Sequence, residues 1–160
     1  MAETDALYIV DGSGFIFRAY HALPPLSTKA GQPTGAVYGF TQMLIKLETE
    51  HRPSHLVVVF DAAGARSFRH TLFGEYKANR VEPPDDLKPQ FGLVRTVVKT
   101  FAIPTMETTD FEADDLIATL VRQAKERGQR VVIVSSDKDL MQLVDDQCVL
   151  HDTMKNVPHG

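Results

Sequence analysis

Seven carboxylates in this sequence stand where a predicted strand ends or where a predicted helix begins. They are Asp11, Asp61, Glu112, Asp114, Asp115, Asp137 and Asp139. Carboxylates crowded together repel one another, and some take up protons unless a positive charge joins them. Because no His or Cys accompanies these acids, the all-oxygen donor set favours Mg²⁺ or Mn²⁺ over zinc. Two such ions side by side can activate a water and stabilise the leaving oxygen in phosphodiester hydrolysis.

Each of these acids also has a purely structural explanation. Thr109 and Glu112 match a capping box, and acids in the first turn of a helix suit its dipole. Asp11 before Gly12 is a typical turn residue, and Asp61 is a typical strand-end cap. Each explanation accounts for one residue, and none accounts for acids that reach one edge from three strands and a helix start. We therefore favour a cation site.

A basic and aromatic segment, "ARSFRHTLFGEYKANR", follows the second predicted strand. Arg and Lys contact phosphates, and aromatic rings stack on unpaired bases. Lys77 and Arg80 would share one face of a helix, where they could stabilise the charge that develops on a scissile phosphate. The alternative is a solvated loop that buries Phe68 and Phe73. Residues 62–84, which include this segment, hold little apolar material, so we expect them to be mobile without DNA.

The elements that must position these residues alternate between strands and helices. Apolar runs predict strands over 7–11, 55–61, 102–107, 130–137 and, as an edge strand, 147–152. Apolar spacing and turn signals predict a short helix or turn over 15–23 and helices over 36–50, 87–101, 111–127 and 138–144. This order predicts an α/β fold with a mostly parallel central sheet and helices on both faces. Ligands of such sheets bind at the carboxyl ends of the strands, where the acids stand.

Composition narrows the class of protein. A net charge of -4 argues against a broad basic footprint for nucleic acid, although residues 62–80 are locally basic. Cys148 is the only cysteine, so an internal disulfide and a cysteine-based zinc site are excluded. The sequence shows no secretory signal and no apolar run long enough for a bilayer, so we expect a cytoplasmic protein without membrane contact. The length indicates one domain over residues 1–160.

Several longer strings resemble one known family. They are "YIVDGSGFIFRAYHAL", "GAVYGFTQML", "VVVFDAAGARSFRHTLFGEYKANR", "FEADDLIATL" and "VVIVSSDKDLMQLV". Together they resemble the 5′–3′ exonuclease domain at the N-terminus of bacterial DNA polymerase I, the resolvase-like, PIN-like half of the flap-endonuclease superfamily. The resemblance runs from about Leu7 to His151. It implies a PIN-like three-layer fold and a Mg²⁺-dependent nuclease that cleaves DNA at 5′ ends, nicks and flaps during replication and repair.

The resemblance also implies a role for each matching residue. The first Mg²⁺ or Mn²⁺ ion would take its ligands from Asp11, Asp61, Glu112, Asp114 and Asp115. The second ion would take its ligands from Asp137 and Asp139. The catalytic basic residues at the scissile phosphate would be Lys77 and Arg80. The positions near the substrate strand would be Arg18, Tyr20, Phe68, Arg69 and Tyr76.

The sequence also departs from the family. In the family, a downstream Asp-rich motif, "GDxSDNxPG", completes the second metal site, and a helix-hairpin-helix then holds the duplex. Neither is present, nor is a polymerase domain. We therefore expect an incomplete two-metal site and weak or undetectable nuclease activity of this chain alone. We also expect a monomer, in which residues 61–85 form a basic, arch-like loop region.

Three other functions fit parts of the pattern. A PIN-type ribonuclease shares the sheet and the acids, but it does not ordinarily carry the basic insertion "SFRHTLFGEYKANR". A phosphoacceptor signalling domain would need paired acids at the end of the first strand, where Asp11 is instead followed by Gly12. A metal-free DNA-binding module would have a stability that does not depend on divalent ions.

Overall fold

The computed structural model describes residues 6–22, 27–61, 86–107, 113–152 and 157–159, the last stretch by its backbone alone. The strands in these residues are β1 (Leu7–Asp11), β2 (His55–Val59), β3 (Thr105–Met106), β4 (Val131–Val134), β5 (Cys148–Asp152) and β6 (Val157–His159). They form one sheet in the order β3-β2-β1-β4-β5-β6. Strands β1 to β5 pair in parallel, and β6 pairs with β5 in the antiparallel direction. The predicted, mostly parallel sheet is therefore confirmed.

Helices cover both faces of this sheet. Over the same residues they are α1 (Gly12–Ala22), α2 (Gly35–His51), α3 (Lys88–Thr100) and α4 (Ala113–Glu126), and a 3₁₀ helix spans Lys138–Leu143. One core cluster joins Tyr8 and Val10 of β1 to buried side chains of α1, α2 and α3. The other joins Ile9 of β1 to α4 and to the 3₁₀ helix. Because consecutive residues of β1 are buried on opposite faces, Tyr8, Ile9 and Val10 are all buried, and the strand ends at the buried Asp11.

The helices form where an apolar stripe meets the sheet. In α2, Ala36, Phe40, Leu44 and Leu47 are buried at steps of three and four, which is the period of one helix face. Helix α4 ends before Gly128, whose φ of +72° lies in the left-handed region that glycine adopts without strain. No helix in the described ranges is long and apolar enough to cross a membrane.

Several predicted boundaries need correction. Helix α1 begins at Gly12 rather than at residue 15, because the Asp11 side chain accepts a backbone hydrogen bond from Gly14. Strands β2 and β4 end at Val59 and Val134, so the chain leaves the sheet shortly before the acids predicted to end them. The predicted helix over 138–144 is a 3₁₀ helix, as expected of so short a run.

The prediction of an edge strand over 147–152 is wrong. Strand β5 lies between β4 and β6, because the backbone of 157–159 turns back and pairs along it. The sequence signal for β6 is three residues long and contains Pro158, so it is too weak to predict a strand.

Candidate metal and nucleic-acid site

Asp11 stands at the end of the central strand, where β1 meets the start of α1. Its Oδ1 accepts a hydrogen bond from the Gly14 backbone N–H at 3.1 Å, so the carboxylate caps the helix that follows it. A Cβ at Gly14 would collide with this carboxylate, and a Cβ at Gly12 would collide with the Phe60 ring and with Val58. The "DGSG" stretch therefore lets α1 start directly against both the carboxylate and the neighbouring strand.

Ser135 joins Asp11 to the turn after β4. Its hydroxyl donates to Asp11 Oδ2 at 3.0 Å and accepts the backbone N–H of Asp137, also at 3.0 Å. Asp137 Oδ1 in turn accepts the backbone N–H of Asp139 at 2.9 Å and caps the 3₁₀ helix. One hydroxyl thus links the ends of the predicted strands over 7–11 and 130–137, which are far apart in the sequence.

Asp61 joins the end of β2 to the start of two helices. Its backbone N–H donates to the Ser13 hydroxyl at 2.8 Å, which ties it to α1. Its carboxylate Oδ1 accepts the backbone N–H of Ala113, the first residue of α4. The N-terminus of α4 therefore points at Asp61, and the positive end of a helix stabilises a negative charge placed there.

Burial and neighbouring negative charges both raise the pKa of the Asp11 carboxyl, because this residue is only 8% exposed and lies near other acids. Burial raises the pKa of its carboxyl from 3.8 to about 6, and the charges of Asp61 and Asp137 add to this rise. The hydrogen bonds from Gly14 and Ser135 act in the opposite direction, because they stabilise the ionised form. Three strand-end carboxylates are thus electrostatic neighbours at one edge of the sheet.

The other predicted ligands are Glu112, Asp114, Asp115 and Asp139. Asp114 and Asp115 occupy the first turn of α4, and Asp139 lies in the first turn of the 3₁₀ helix at an exposed position. Glu112 lies outside the described residues. Among the residues that are described, no three His, Cys, Asp or Glu side chains come close enough to form a metal-binding group. The structure therefore brings Asp11, Asp61 and Asp137 to one edge of the sheet, and the described residues do not form a complete set of ligands.

The chemistry of these donors still fits a hard divalent cation. They are all carboxylate oxygens, and the central one, Asp11, is held in a place that disfavours its own charge. A cation beside it would remove the repulsion between Asp11, Asp61 and Asp137, which protonation otherwise relieves. Mg²⁺ and Mn²⁺ prefer such oxygen donors.

The predicted DNA-binding residues divide into two groups. Lys77, Arg80, Phe68, Arg69 and Tyr76 lie outside the described residues, as does the segment that we expect to be mobile without DNA. Arg18 and Tyr20 lie on α1 and face acidic partners. Arg18 Nη1 is 3.8 Å from Asp152 Oδ2, and the Tyr20 hydroxyl donates to Asp86 Oδ1 at 2.7 Å. That hydrogen bond raises the pKa of the Tyr20 phenol.

Sequence reasoning missed three side chains that hold the acids. Ser13 and Ser135 each stand two residues from a strand-end Asp, and hydroxyls so placed are a signal that could have been used. Arg95 carries no such signal, because it lies inside the helical pattern of α3. Its guanidinium donates to the Asp61 backbone carbonyl at 3.1 Å and to Glu107 Oε1 at 3.0 Å.

Comparison with known proteins identifies the family. The domain described as "5'-3' exonuclease, N-terminal resolvase-like domain" matches residues 6–159. DNA polymerase I of Rhizobium leguminosarum is 54% identical over all of this chain, which spans 16% of that protein. A 5'-3' exonuclease of Aquifex aeolicus is 45% identical over 94% of this chain, which spans 52% of that protein. The chain thus covers about half of the length of the second relative, and much less of the first.

Solved structures of similar fold include a 5'-exonuclease and a flap endonuclease. The T5 5'-exonuclease with bound zinc superposes on 96% of this chain, with a TM-score of 0.65 over 57% of its own length, at 20% identity. A bacteriophage T5 flap endonuclease in complex with DNA and metal ions has a TM-score of 0.63 at 21% identity. The match covers 96% of this chain and 57% of that chain. The catalytic core of Rad2 with a DNA substrate has a TM-score of 0.58 at 15% identity. The match covers 96% of this chain and 45% of that chain. These similarities bear out the predicted PIN-like α/β fold.

The family description covers nearly the whole chain, and two relatives are 54% and 45% identical to it over 100% and 94% of its length. The chain belongs to the family of 5′–3′ exonuclease N-terminal, resolvase-like domains.

Proposed function

We propose that this chain is the metal-binding and catalytic module of a 5′–3′ exonuclease or flap endonuclease that hydrolyses phosphodiester bonds in DNA. The single observation that carries the proposal is the meeting of Asp11, Asp61 and Asp137 at the carboxyl edge of three adjacent strands. The family membership and the nuclease relatives support the reaction type.

The proposed cofactor is Mg²⁺ or Mn²⁺. A first ion would be held by Asp11, Asp61, Glu112, Asp114 and Asp115, and a second by Asp137 and Asp139. When bound, such ions lower the pKa of a water and neutralise charge on the phosphate oxygens. The chain's own residues position the ligands: the helix starts and hydroxyls that hydrogen-bond to Asp11 and Asp61 keep these two residues in place. The T5 structures with metal ions, one of them with zinc, support a divalent metal ion.

The proposed substrate is DNA with a 5′ end, nick or flap. Lys77 and Arg80 would contact the scissile phosphate, and Phe68, Arg69 and Tyr76 would contact the strand. Arg18 would join them by exchanging Asp152, which is 3.8 Å away, for a phosphate oxygen, because Arg forms shorter, charge-assisted hydrogen bonds with phosphate. Tyr20 would join them by exchanging Asp86 for a phosphate oxygen. The T5 and Rad2 complexes with DNA support this class of substrate.

The remaining proposals concern the whole protein. We propose a cytoplasmic monomer in which residues 1–160 form one domain and residues 61–85 a basic, arch-like loop region. We also propose that the isolated chain cleaves DNA weakly, since the chain spans only part of the length of its relatives.

A metal titration tests the proposed site. Thermal unfolding is followed while Mn²⁺ is added to wild type, to Asp61→Ala and to Asp146→Ala, an exposed acid away from the site. An ion at 100 times its dissociation constant stabilises the native state by about 2.7 kcal/mol, which is a rise of several degrees for a domain of this size. Wild type and Asp146→Ala should show the rise, and Asp61→Ala should lose most of it.

A cleavage assay then separates the alternatives. A 5′-flap DNA and the matching RNA are incubated with excess protein and Mn²⁺. Cleavage of the DNA flap supports the proposal, and cleavage of RNA alone supports a ribonuclease. If wild type shows no Mn²⁺-dependent stabilisation, or if Asp61→Ala is stabilised equally, the metal site is refuted and a metal-free binding module is favoured.

A further inference from the structure

We propose that Ser135 is a positioning residue whose hydroxyl holds the Asp11 carboxylate in the orientation that cation binding requires. The inference rests on the proposed metal-dependent function and concerns a residue that is not itself a ligand. Ser135 is 1% exposed and follows directly after β4, so its side chain is buried at the carboxyl edge of the sheet.

The direction of the Ser135 proton follows from its partners. The hydroxyl oxygen accepts the Asp137 backbone N–H at 3.0 Å, and an N–H can only donate. The carboxylate of Asp11 at 3.0 Å is an acceptor when it is ionised. The single hydroxyl proton of Ser135 therefore points at Asp11 Oδ2. The Ser135 backbone N–H donates to the His151 carbonyl at 3.1 Å, which anchors the serine to β5.

These contacts fix the plane of the Asp11 carboxylate. Oδ1 is held by the Gly14 N–H and Oδ2 by the Ser135 hydroxyl, so the group cannot rotate without losing one bond. Each carboxylate oxygen has two lone pairs, so one hydrogen bond on each leaves room for a cation. Groups that orient metal ligands in this way typically contribute 10–100-fold to metal affinity.

Ser135 also sets the distance between two predicted ligand positions. The same oxygen that bonds to Asp11 receives the backbone N–H of Asp137, whose carboxylate caps the 3₁₀ helix. Removing the hydroxyl would release both ends of this bridge at once. Ser13 holds the backbone of Asp61 in a comparable way from the other side, with its hydroxyl 2.8 Å from the Asp61 nitrogen.

The test measures Mn²⁺ affinity directly, by the electron paramagnetic resonance signal of free Mn²⁺ during a titration of the purified full chain. The variants are Ser135→Ala, Ser135→Thr and Ser135→Val, with Ser136→Ala as the matched control on the adjacent residue. We expect Ser135→Ala to bind Mn²⁺ at least about tenfold more weakly than wild type. Ser135→Thr, which keeps the hydroxyl, should bind close to wild type, and Ser136→Ala should be unchanged.

The Thr and Val variants keep the test decisive even where the Ala variant does not fold, because they have nearly the same shape and differ in the hydroxyl. Thermal unfolding in EDTA reports whether each variant is folded. Equal Mn²⁺ affinity of Ser135→Thr and Ser135→Val, or of Ser135→Ala and wild type, overturns the inference. If wild type binds no Mn²⁺, the proposed metal site is refuted, and the proposed role of Ser135 is refuted as well.

Discussion

At the scale of single residues, the acids of this site are helix caps and candidate cation ligands at once. Asp11 accepts the Gly14 N–H, Asp61 the Ala113 N–H and Asp137 the Asp139 N–H. Helix starts therefore point at each carboxylate and offset part of the mutual repulsion. The structural explanation of these acids does not compete with the functional one, because a carboxylate oxygen can accept an N–H and still hold a cation.

The raised pKa of Asp11 predicts a pH dependence of stability in EDTA. Below pH 3.8 the carboxyl is protonated in both states, whereas between 3.8 and about 6 the folded state alone keeps its proton. Stability is therefore lost as the pH rises through this window, and the full cost above pH 6 is roughly 3 kcal/mol. Asp11→Asn, which carries no charge, should gain stability relative to wild type over this range.

Urea unfolding of wild type and Asp11→Asn at pH 4 to 8 checks this. The difference in unfolding free energy should be small near pH 4 and should grow until about pH 7. A difference that stays constant across these pH values would show that burial of the Asp11 charge costs nothing.

Gly14 predicts a second residue-scale effect. A Cβ at this position would meet the Asp11 carboxylate, which would have to leave one of its two hydrogen bonds. We expect Gly14→Ala to lower the unfolding free energy by about 1–3 kcal/mol, as overpacking does elsewhere. Gly92→Ala is the matched control, because a Cβ on this exposed position of α3 meets nothing within 4 Å. It should stabilise by about 0.5–1 kcal/mol, and a loss at Gly92 like that at Gly14 would contradict the explanation.

At the scale of elements, α2 is capped by a side chain from another helix. Thr34 precedes α2 but makes no side-chain cap. Instead, Oε1 of the buried Gln90 accepts the N–H groups of Ala36 at 2.8 Å and Val37 at 3.1 Å. Its Nε2 donates to the Asp86 carbonyl at 2.8 Å, so Gln90 links the starts of α2 and α3.

Loss of this cap should be costly because it leaves buried donors without an acceptor. We expect Gln90→Ala to lower the unfolding free energy by roughly 1–3 kcal/mol. Gln42→Ala, on the exposed side of α2, should change it by less than about 0.5 kcal/mol. Chemical denaturation of both variants measures the contrast, and equal effects would show that Gln90 does not cap α2.

Arg95 connects α3 to the ends of β2 and β3. It donates to the Asp61 carbonyl and to Glu107, and its guanidinium lies 4.6 Å from the centre of the Phe60 ring. The ion pair with Glu107 is partly exposed, and such pairs contribute at most about 1 kcal/mol. We therefore expect Arg95→Ala to destabilise more than Glu107→Ala does, because it also loses the carbonyl and ring contacts. Thermal unfolding of the two variants tests this. Equal losses of stability would show that Arg95 contributes only its ion pair with Glu107.

At the scale of the whole molecule, a pair of histidines joins α2 to β5. The rings of His51 and His151 are 4.8 Å apart, and His51 also lies within 3.4 Å of the Tyr8 hydroxyl. Burial lowers the pKa of His151, and His51 and Lys46 lower it further, while Asp152 and Glu50 oppose the change.

This lowered pKa predicts a loss of stability in acid. As the pH falls below about 6.5, His151 takes up a proton more readily in the unfolded chain than in the folded one. Wild type should therefore lose stability relative to His151→Gln as the pH falls from 7 to 5. The test is the unfolding free energy of wild type and of His151→Gln, measured by chemical denaturation at each pH. If the two free energies change with pH in parallel, the role of His151 burial is contradicted.

The amino-acid sequence alone determined most elements and the composition of the candidate site. Short apolar runs and helical spacing are local patterns, so the alternation of strands and helices, and the acids beside the strand ends, could be predicted. The strings "FEADDL" and "SSDKDL" also carried the family resemblance, which the match over residues 6–159 confirmed.

Tertiary structure alone decided how these pieces meet. The order β2-β1-β4 places the ends of three strands side by side, and only then can the Ser135 hydroxyl reach Asp11 and the Arg95 guanidinium reach the Asp61 carbonyl. The pairing of β6 with β5 likewise depends on the return of the chain to the sheet. A single helix or strand can be predicted locally, because its buried residues recur at a regular spacing in the sequence. Contacts between distant residues cannot be predicted in this way, because they depend on which strands pack together.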